Sequence, residues 1–274
     1  EGERDTTAHT DRSRRLGIRC NIHTRVYGLP LIASHVGADT AADLVTCDMM
    51  SADSDDVVML VDVGTNTEVV IAGRDRMLTA SSPAGPAFEG GLVSYGMPGY
   101  DGAIEAVHID GDGAFHCATI GNSDPVGICG SGLIDLLAEL RRSGLMSERG
   151  VLHTGAERAV RNSQLTIAAD QGITFSAEDA SHLAQAKAAN YCAQLLLLKE
   201  FGIDPPDIST LYLAGGFANY IDVDSAVAIG FLAPVPAARI VKVGNAAMQG
   251  AREVLLDCTR RIELEQVCQH IEHV

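Results

Sequence analysis

Apolar positions along this chain recur in the two periods that mark strands and helices. Residues 57–63, Val57-Val58-Met59-Leu60-Val61-Asp62-Val63, form a nearly continuous apolar run, as a strand buried on both faces requires. Residues 67–73 and 76–81 read as the next two strands, with a hairpin turn near Gly73-Arg74-Asp75. Two more strands, 103–109 and 114–119, flank Asp110-Gly111-Asp112-Gly113, a strong hairpin signal. Helical spacing covers 39–50, 131–143, 177–201 and 222–229. The longest of these starts at Ser176, with Asp179 completing a capping-box pattern, and stops at Gly202 ahead of Pro205-Pro206. Strands at 210–214 and 239–243 run into Gly215-Gly216 and Gly244-Asn245, and a small-residue helix follows the second. The Gly- and Pro-rich stretch 82–102 predicts little regular structure, and 259–272 fits a strand or a short helix equally. Residues 1–15 read as a disordered lead. The acidic turn at 51–56 is the best internal boundary.

Composition narrows the class. The 274 residues are 46% hydrophobic but only 4% aromatic, with no Trp, so the core must be built from Ala, Val, Leu and Ile in α/β layers. A net charge of −16 repels nucleic acid and anionic membrane surfaces. There are three lysines, Lys187, Lys199 and Lys242, and no Gly-x-x-x-x-Gly-Lys-Ser/Thr loop, which excludes a Walker-type phosphate site. Seven scattered cysteines without a Cys-x-x-Cys pair predict reduced thiols and a cytoplasmic protein. No apolar run is long enough to span a membrane, and residues 1–15 lack the apolar core of a signal peptide. A start at Glu1 suggests a fragment of something longer.

Several glycine corners carry candidate chemistry. In Asp62-Val63-Gly64-Thr65-Asn66-Thr67-Glu68, a tight turn between strands can aim successive N–H groups at one anion. Gly64 permits close approach, Thr65 and Thr67 can donate to phosphate oxygens, and Asp62 can hold a Mg²⁺-bound water. The same turn also suits an ordinary hairpin. Gly215-Gly216, ahead of Phe217 and Asn219, leaves room for a planar ring against the backbone, or serves tight packing alone. Gly244-Asn245 is a second such corner. Gly130, Ser131 and Gly132 open a helix whose N–H groups can face an anion, although Ser131 could simply cap it. Glu89, between glycine-rich loops, is the candidate functional carboxylate, able to order Mg²⁺ or water. Asp110–Gly113 lacks the further ligands of a calcium loop. The terminal Cys268-Gln269-His270-Ile271-Glu272-His273 matches no standard metal spacing.

Taken in order, these motifs resemble the actin, sugar-kinase and Hsp70-like ATPases, in which two lobes sandwich ATP. The chain is more closely similar to the C-terminal part of the reductive activators of corrinoid proteins. The likeness rests on Val36-Gly37-Ala38-Asp39-Thr40, Asp62 to Glu68, Ala84-Gly85-Pro86-Ala87-Phe88-Glu89-Gly90, Gly127 to Asp135, Leu213 to Asp222 and Gly244-Asn245-Ala246-Ala247. The resemblance implies a ribonuclease-H-like α/β lobe with a central mixed sheet flanked by helices. It makes Asp62 to Thr67 the second-lobe phosphate loop and Gly215 to Asn219 the adenosine loop. Its activity would be the ATP-driven reduction of cob(II)alamin to cob(I)alamin on a partner corrinoid protein of a methyl-transfer system. ATP and Mg²⁺ are the implied cofactors, with a [2Fe-2S] cluster expected only in an N-terminal domain outside this chain.

Departures from the family pattern also matter. No first-lobe Asp-x-Gly-Thr loop stands before residue 57, so 16–56 reads as a remnant of the first lobe and 57–274 as the second lobe. With one side of the clamp open, the isolated chain is expected to bind ATP weakly and hydrolyse it poorly. Cys129 also resembles a cluster ligand of the acyl-CoA dehydratase activators. Those use two cysteines per subunit, and residues 130–191 hold none, which favours a structural thiol. A small-molecule kinase of the same superfamily and a non-catalytic interaction lobe remain the alternatives, and self-association into a homodimer stays open.

Overall fold

The computed structural model describes residues 6–33, 35–50, 56–73, 75–153, 160–161 and 164–274. Along the chain, β1 (His9–Arg12) and β2 (Arg25–Gly28) form an antiparallel hairpin, followed by α1 (Ala38–Thr46). Next come β3 (Val58–Val63), β4 (Thr67–Ala72) and β5 (Met77–Ser82). β6 (Ala103–Ile109), β7 (Phe115–Thr119) and β8 (Gly127–Ile128) make a small sheet that leads into α2 (Gly130–Arg142). β9 (Val160–Arg161), β10 (Gln164–Ala168) and β11 (Ile173–Ser176) precede the long α3 (Ala177–Phe201). β12 (Thr210–Gly215), α4 (Val223–Ala228), β13 (Ile240–Gly244), α5 (Ala246–Leu256), α6 (Cys258–Cys268) and β14 (Glu272–His273) complete the chain.

The organising element is a six-stranded mixed sheet in the order β13-β12-β3-β4-β5-β14. β3, β4 and β5 are antiparallel neighbours, while β12 lies parallel to β3 and β13 parallel to β12. This is the α/β lobe that the motifs imply. The apolar run of β3 is central because it feeds two cores at once. Met59, Val61 and Val63 enter the core under α2 and α3, with Val69 and Ile71 of β4 beside them. Leu60 enters the opposite core with Val70, under Leu44 and Val45 of α1, Val254 of α5 and Leu264 of α6. Strand parity therefore decides which side of the lobe each β3 side chain serves.

Local sequence explains the boundaries. Ser176 and Asp179 form the expected reciprocal capping box, and Gly202 ends α3 in a left-handed conformation at φ 83°. Asp179 also accepts from the Ser94 N–H at 2.7 Å and hydroxyl at 3.0 Å, tying the loop before β6 to the helix start. On α3, the fully buried Asn190 and Gln194 donate to the Phe231 carbonyl at 2.9 Å each, and Gln194 accepts from the Ala233 N–H at 2.8 Å. Helices α1 and α5 cross at Gly250, where an added Cβ would stand 1.9 Å from the Ala42 carbonyl oxygen.

Four features go beyond the sequence expectations. Within the supposed disordered lead, His9–Arg12 is a strand, held by pairing with β2. Tyr27 anchors that hairpin, donating to Glu265 at 2.7 Å beneath the Arg261 guanidinium. The undecided C-terminal segment is helix α6, followed by a two-residue strand that Glu272 fastens through a bidentate pair with Arg76. The β10–β11 hairpin has no clear counterpart in the pattern, and Pro86–Glu89 is a 3-10 turn inside the stretch expected to be irregular. Arg74, at the expected β4–β5 turn, and residues 51–55 of the acidic boundary lie outside the described residues.

Candidate functional site

At the C-terminal end of β3 the chain turns sharply. The Gly64 N–H donates to the Asn66 carbonyl at 2.9 Å, and the Thr65 carbonyl accepts from Gly85 at 2.8 Å. The Thr65 hydroxyl donates to Glu89 Oε2 at 2.7 Å, so the turn is tied to the Pro86–Glu89 segment. A cleft of about 480 Å³ opens here, lined by Gly64, Glu89, Gly130, Ser131, Gly216 and Phe217, among others. Phe88 forms part of its wall, braced edge-on by Phe231 at 5.0 Å between ring centroids. Sequence-separated motifs thus meet at one concave surface, into which the N-terminus of α2 opens with its unpaired N–H groups.

The double glycine divides its labour. Gly215 has φ +122°, and a Cβ there would lie 2.2 Å from the Val63 carbonyl oxygen, so it serves strand packing. Gly216 faces open space, with nothing within 4 Å of an ideal Cβ. Other candidates lie outside the cleft. Gly132 packs against the Ile104 carbonyl. Asn219 sits against Gly244, and its carbonyl accepts from Lys242 at 3.5 Å. Asn245 caps α5, accepting from the Met248 N–H at 2.9 Å. Thr67 is fully buried, with its hydroxyl unpartnered, on the β4 side shared with Val69 and Ile71.

Asp62 and Gly215 were expected to face one cleft, but strand parity separates them. Val61 and Val63 face the α2–α3 side, and Asp62 points the other way, toward α1. There it meets Asp43, with Asp39 and Glu68 nearby. Burial, then the adjacent Asp62 carboxyl, pushes Asp43 well above the ordinary carboxylate range, and burial raises Asp62 as well. Glu68 is pushed up to about 7 by burial, although the Ser81 hydroxyl donates to it at 2.9 Å. No N–H or O–H donor reaches either oxygen of the fully buried Asp43, nor does the Thr40 hydroxyl find a partner. Sequence reasoning passed over Asp43 and Glu68. The available signal was the i, i+4 spacing of Asp39 and Asp43, which puts both on one face of α1.

Cys129 lines the cleft wall, but its thiol lies 3.3 Å from the Ile104 carbonyl and 3.4 Å from the Ser131 hydroxyl. It is a buried, hydrogen-bonded thiol. Among the described residues no group of three or more His, Cys, Asp or Glu is placed to hold a metal by itself.

Comparison with known proteins completes the picture. A family model described as "C-terminal domain of RACo the ASKHA domain" matches residues 56–274. The corrinoid activation enzyme RamQ of Eubacterium limosum is 34% identical over 246 residues, covering 83% of this chain and 41% of its own length. A [Co(II) methylated amine-specific corrinoid protein] reductase of Methanosarcina barkeri is 29% identical over 263 residues, covering 88% and 46%. The solved structure of a reductive activator for corrinoid, iron-sulfur protein superposes with a TM-score of 0.87 at 31% identity, covering 97% of this chain and 44% of that one. The chain thus spans less than half the length of each of these relatives. By sequence and by fold, this chain belongs to the family of C-terminal ASKHA domains found in the reductive activators of corrinoid proteins.

Proposed function

We propose that this chain is the nucleotide-facing lobe of an activator that spends ATP to return a partner's corrinoid from cob(II)alamin to cob(I)alamin. The observation that supports this reading is the convergence of Gly64, Glu89, Ser131 and Gly216 on one cleft, from four separate stretches of sequence. In this reading the Gly64–Thr65 turn and the α2 N-terminus receive phosphates, where backbone N–H groups and the helix dipole favour negative charge. The open backbone at Gly216, with Phe217 beside it, receives the adenosine ring. Glu89 holds Thr65 in place and offers its second carboxylate oxygen to solvent in the cleft.

The residues also fit a Mg²⁺ accompanying the nucleotide. Glu89 lies in the cleft itself, while Asp62 faces α1 and would reach such an ion only from the strand end, one residue before the turn, through a metal-bound water. When bound, Mg²⁺ would neutralise phosphate charge, for which the described cleft lining offers no Lys or Arg. The thiol of Cys129 is occupied by hydrogen bonds, and a [2Fe-2S] centre belongs, in this reading, to a separate part of the activator. The partner is a corrinoid protein, and the compartment is the cytoplasm, in keeping with scattered unpaired cysteines. Among the described residues no helix is long and apolar enough to cross a membrane.

Gly216→Val tests the cleft. The new side chain enters open space, so the fold is expected to survive, while the ring site is filled. Titration with a fluorescent ATP analogue should give saturable binding to the wild-type chain and a loss of roughly ten-fold or more in the variant. Equal binding by both, or no ATP affinity in the longer protein with its first lobe restored, would overturn the reading.

A further inference from the structure

Positive charge gathers at one place in this acidic chain. Between the last turns of α2 and the first half of α3 lies a second cavity, of about 170 Å³. Its wall is apolar, made by the buried Leu137, Met146, Ala180 and Ile229. Three of the chain's twenty Lys and Arg residues, Arg141, Arg149 and Lys187, line the same cavity, against one acid, Glu148. These cations have donors to spare. The half-buried Lys187 ammonium donates to the Ile229 carbonyl at 2.8 Å, which uses one of its three N–H groups. Burial, followed by the nearby Arg141 guanidinium, lowers the lysine below its ordinary range, and no carboxylate among the described residues offsets either effect. Arg141 reaches Glu148 only at 3.8 Å, and that glutamate is 92% exposed, so the pair neutralises little. Two like charges held beside an apolar wall repel one another, and an anion placed between them turns that repulsion into attraction.

We propose that this cavity binds a small organic carboxylate with a short aliphatic tail. The planar fork of Arg141 donates to the carboxylate from one side and the unspent N–H groups of Lys187 donate from the other. Leu137, Met146 and Ile229 receive the tail. Arg149, on the loop after α2, adds its positive field at the mouth. The volume limits the guest, since pockets for drug-sized ligands begin at roughly 300 Å³. The apolar wall favours a tailed acid over inorganic phosphate, which has nothing to bury against it. The site is separate from the cleft. Arg141 stands ten residues beyond Ser131 on α2, about 15 Å along the helix, so the proposal does not rest on the nucleotide reading.

Butyrate is the probe, followed through its methyl group by saturation-transfer NMR. It is titrated into the wild-type chain, Lys187→Met, Arg149→Gln and Lys199→Met, with folding checked by circular dichroism. Lys187→Met keeps the stem and removes the charge. Arg149→Gln changes an exposed loop residue, so it reads the site even where loss of the bond to Ile229 unsettles the first variant. Lys199, exposed in the last turn of α3 and outside the cavity, is the control. Wild type and Lys199→Met should bind saturably with a Kd of roughly 1 mM. Binding should weaken roughly ten-fold or more in Lys187→Met and a few-fold in Arg149→Gln. Butylammonium, with the same tail and the opposite charge, should give no saturable signal, and inorganic phosphate should compete more weakly than butyrate itself. No saturable binding to the wild type, or equal binding by the Lys187 and Arg149 variants, would overturn the proposal. Binding of butylammonium as tight as that of butyrate, or tighter binding of phosphate, would overturn it equally.

Discussion

The Thr65 hydroxyl donates to Glu89 Oε2 at 2.7 Å, joining two loops that lie 24 residues apart in sequence. The bond is exposed, so it contributes little to global stability, about 0.5 kcal/mol. Its effect is on the shape of the turn. Glu89→Ala is expected to leave the urea unfolding midpoint nearly unchanged while weakening nucleotide binding several-fold. A variant that binds ATP analogues like the wild type would remove Glu89 from the site.

Glu139 ties α2 to the end of β6. It accepts from Arg142 Nε at 2.7 Å and from the Ile109 N–H, and lies 3.1 Å from His108 Nδ1. Arg142, followed by the Ile109 N–H and His108, holds its carboxyl down at about 2. A depressed carboxylate contributes stability that is present above its unfolded value, near 4.5, and lost as pH falls through 2. Thermal unfolding of the wild type should therefore lose stability across that acid window. In Glu139→Gln that part of the slope should be missing, with stability at neutral pH already reduced by about 1 kcal/mol.

The contact of Gly250 with the Ala42 carbonyl sets the distance between α1 and α5. Any side chain at 250 forces the helices apart. Gly250→Ala should cost about 1–3 kcal/mol despite the gain in helix propensity, read from the denaturant midpoint. An unchanged or raised midpoint would show that the crossing relaxes freely.

Inside the other core, Gln194 is bonded at both ends of its amide. It donates to Asn190 and Phe231 and accepts from the Ala233 N–H. Gln194→Leu keeps the bulk but strands a backbone donor and leaves the Phe231 carbonyl only Asn190. The expected cost is about 1–3 kcal/mol. Hydrogen exchange at the Ala233 amide should accelerate in step with it.

How far the sequence could be read depended on the local signal at each element. Val57–Val63 announced a central strand because seven nearly apolar residues suit burial on both faces, and the sheet agrees. Ser176, Asp179 and Gly202 fixed the longest helix because caps are local chemistry. Helix α6 was ambiguous since only Leu264 and Cys268 of its residues are buried, leaving almost no periodic stripe to detect. For the site, the glycine motifs pointed to their meeting place, but a pair such as Gly215-Gly216 does not declare which member packs and which stays open. Register sets that, through the approach of Val63 to Gly215. The direction of Asp62 was readable in principle from the parity of β3, given the knowledge that α1 returns to cover that face. That return is a long-range contact, and no local pattern encodes it.

The closeness of α1 and α5 at Gly250 has a mechanical consequence. Two rods that touch backbone to backbone at one point can rock about it, but side chains on either side obstruct sliding. Asp43 follows Ala42 directly in α1, so it sits almost on that fulcrum and moves little when the helix tilts. Asp39, nearly a full turn toward the N-terminus, sweeps through a wider arc, so a tilt of α1 would change the distance from Asp39 to the β3 turn while the Asp43–Asp62 contact stayed closed.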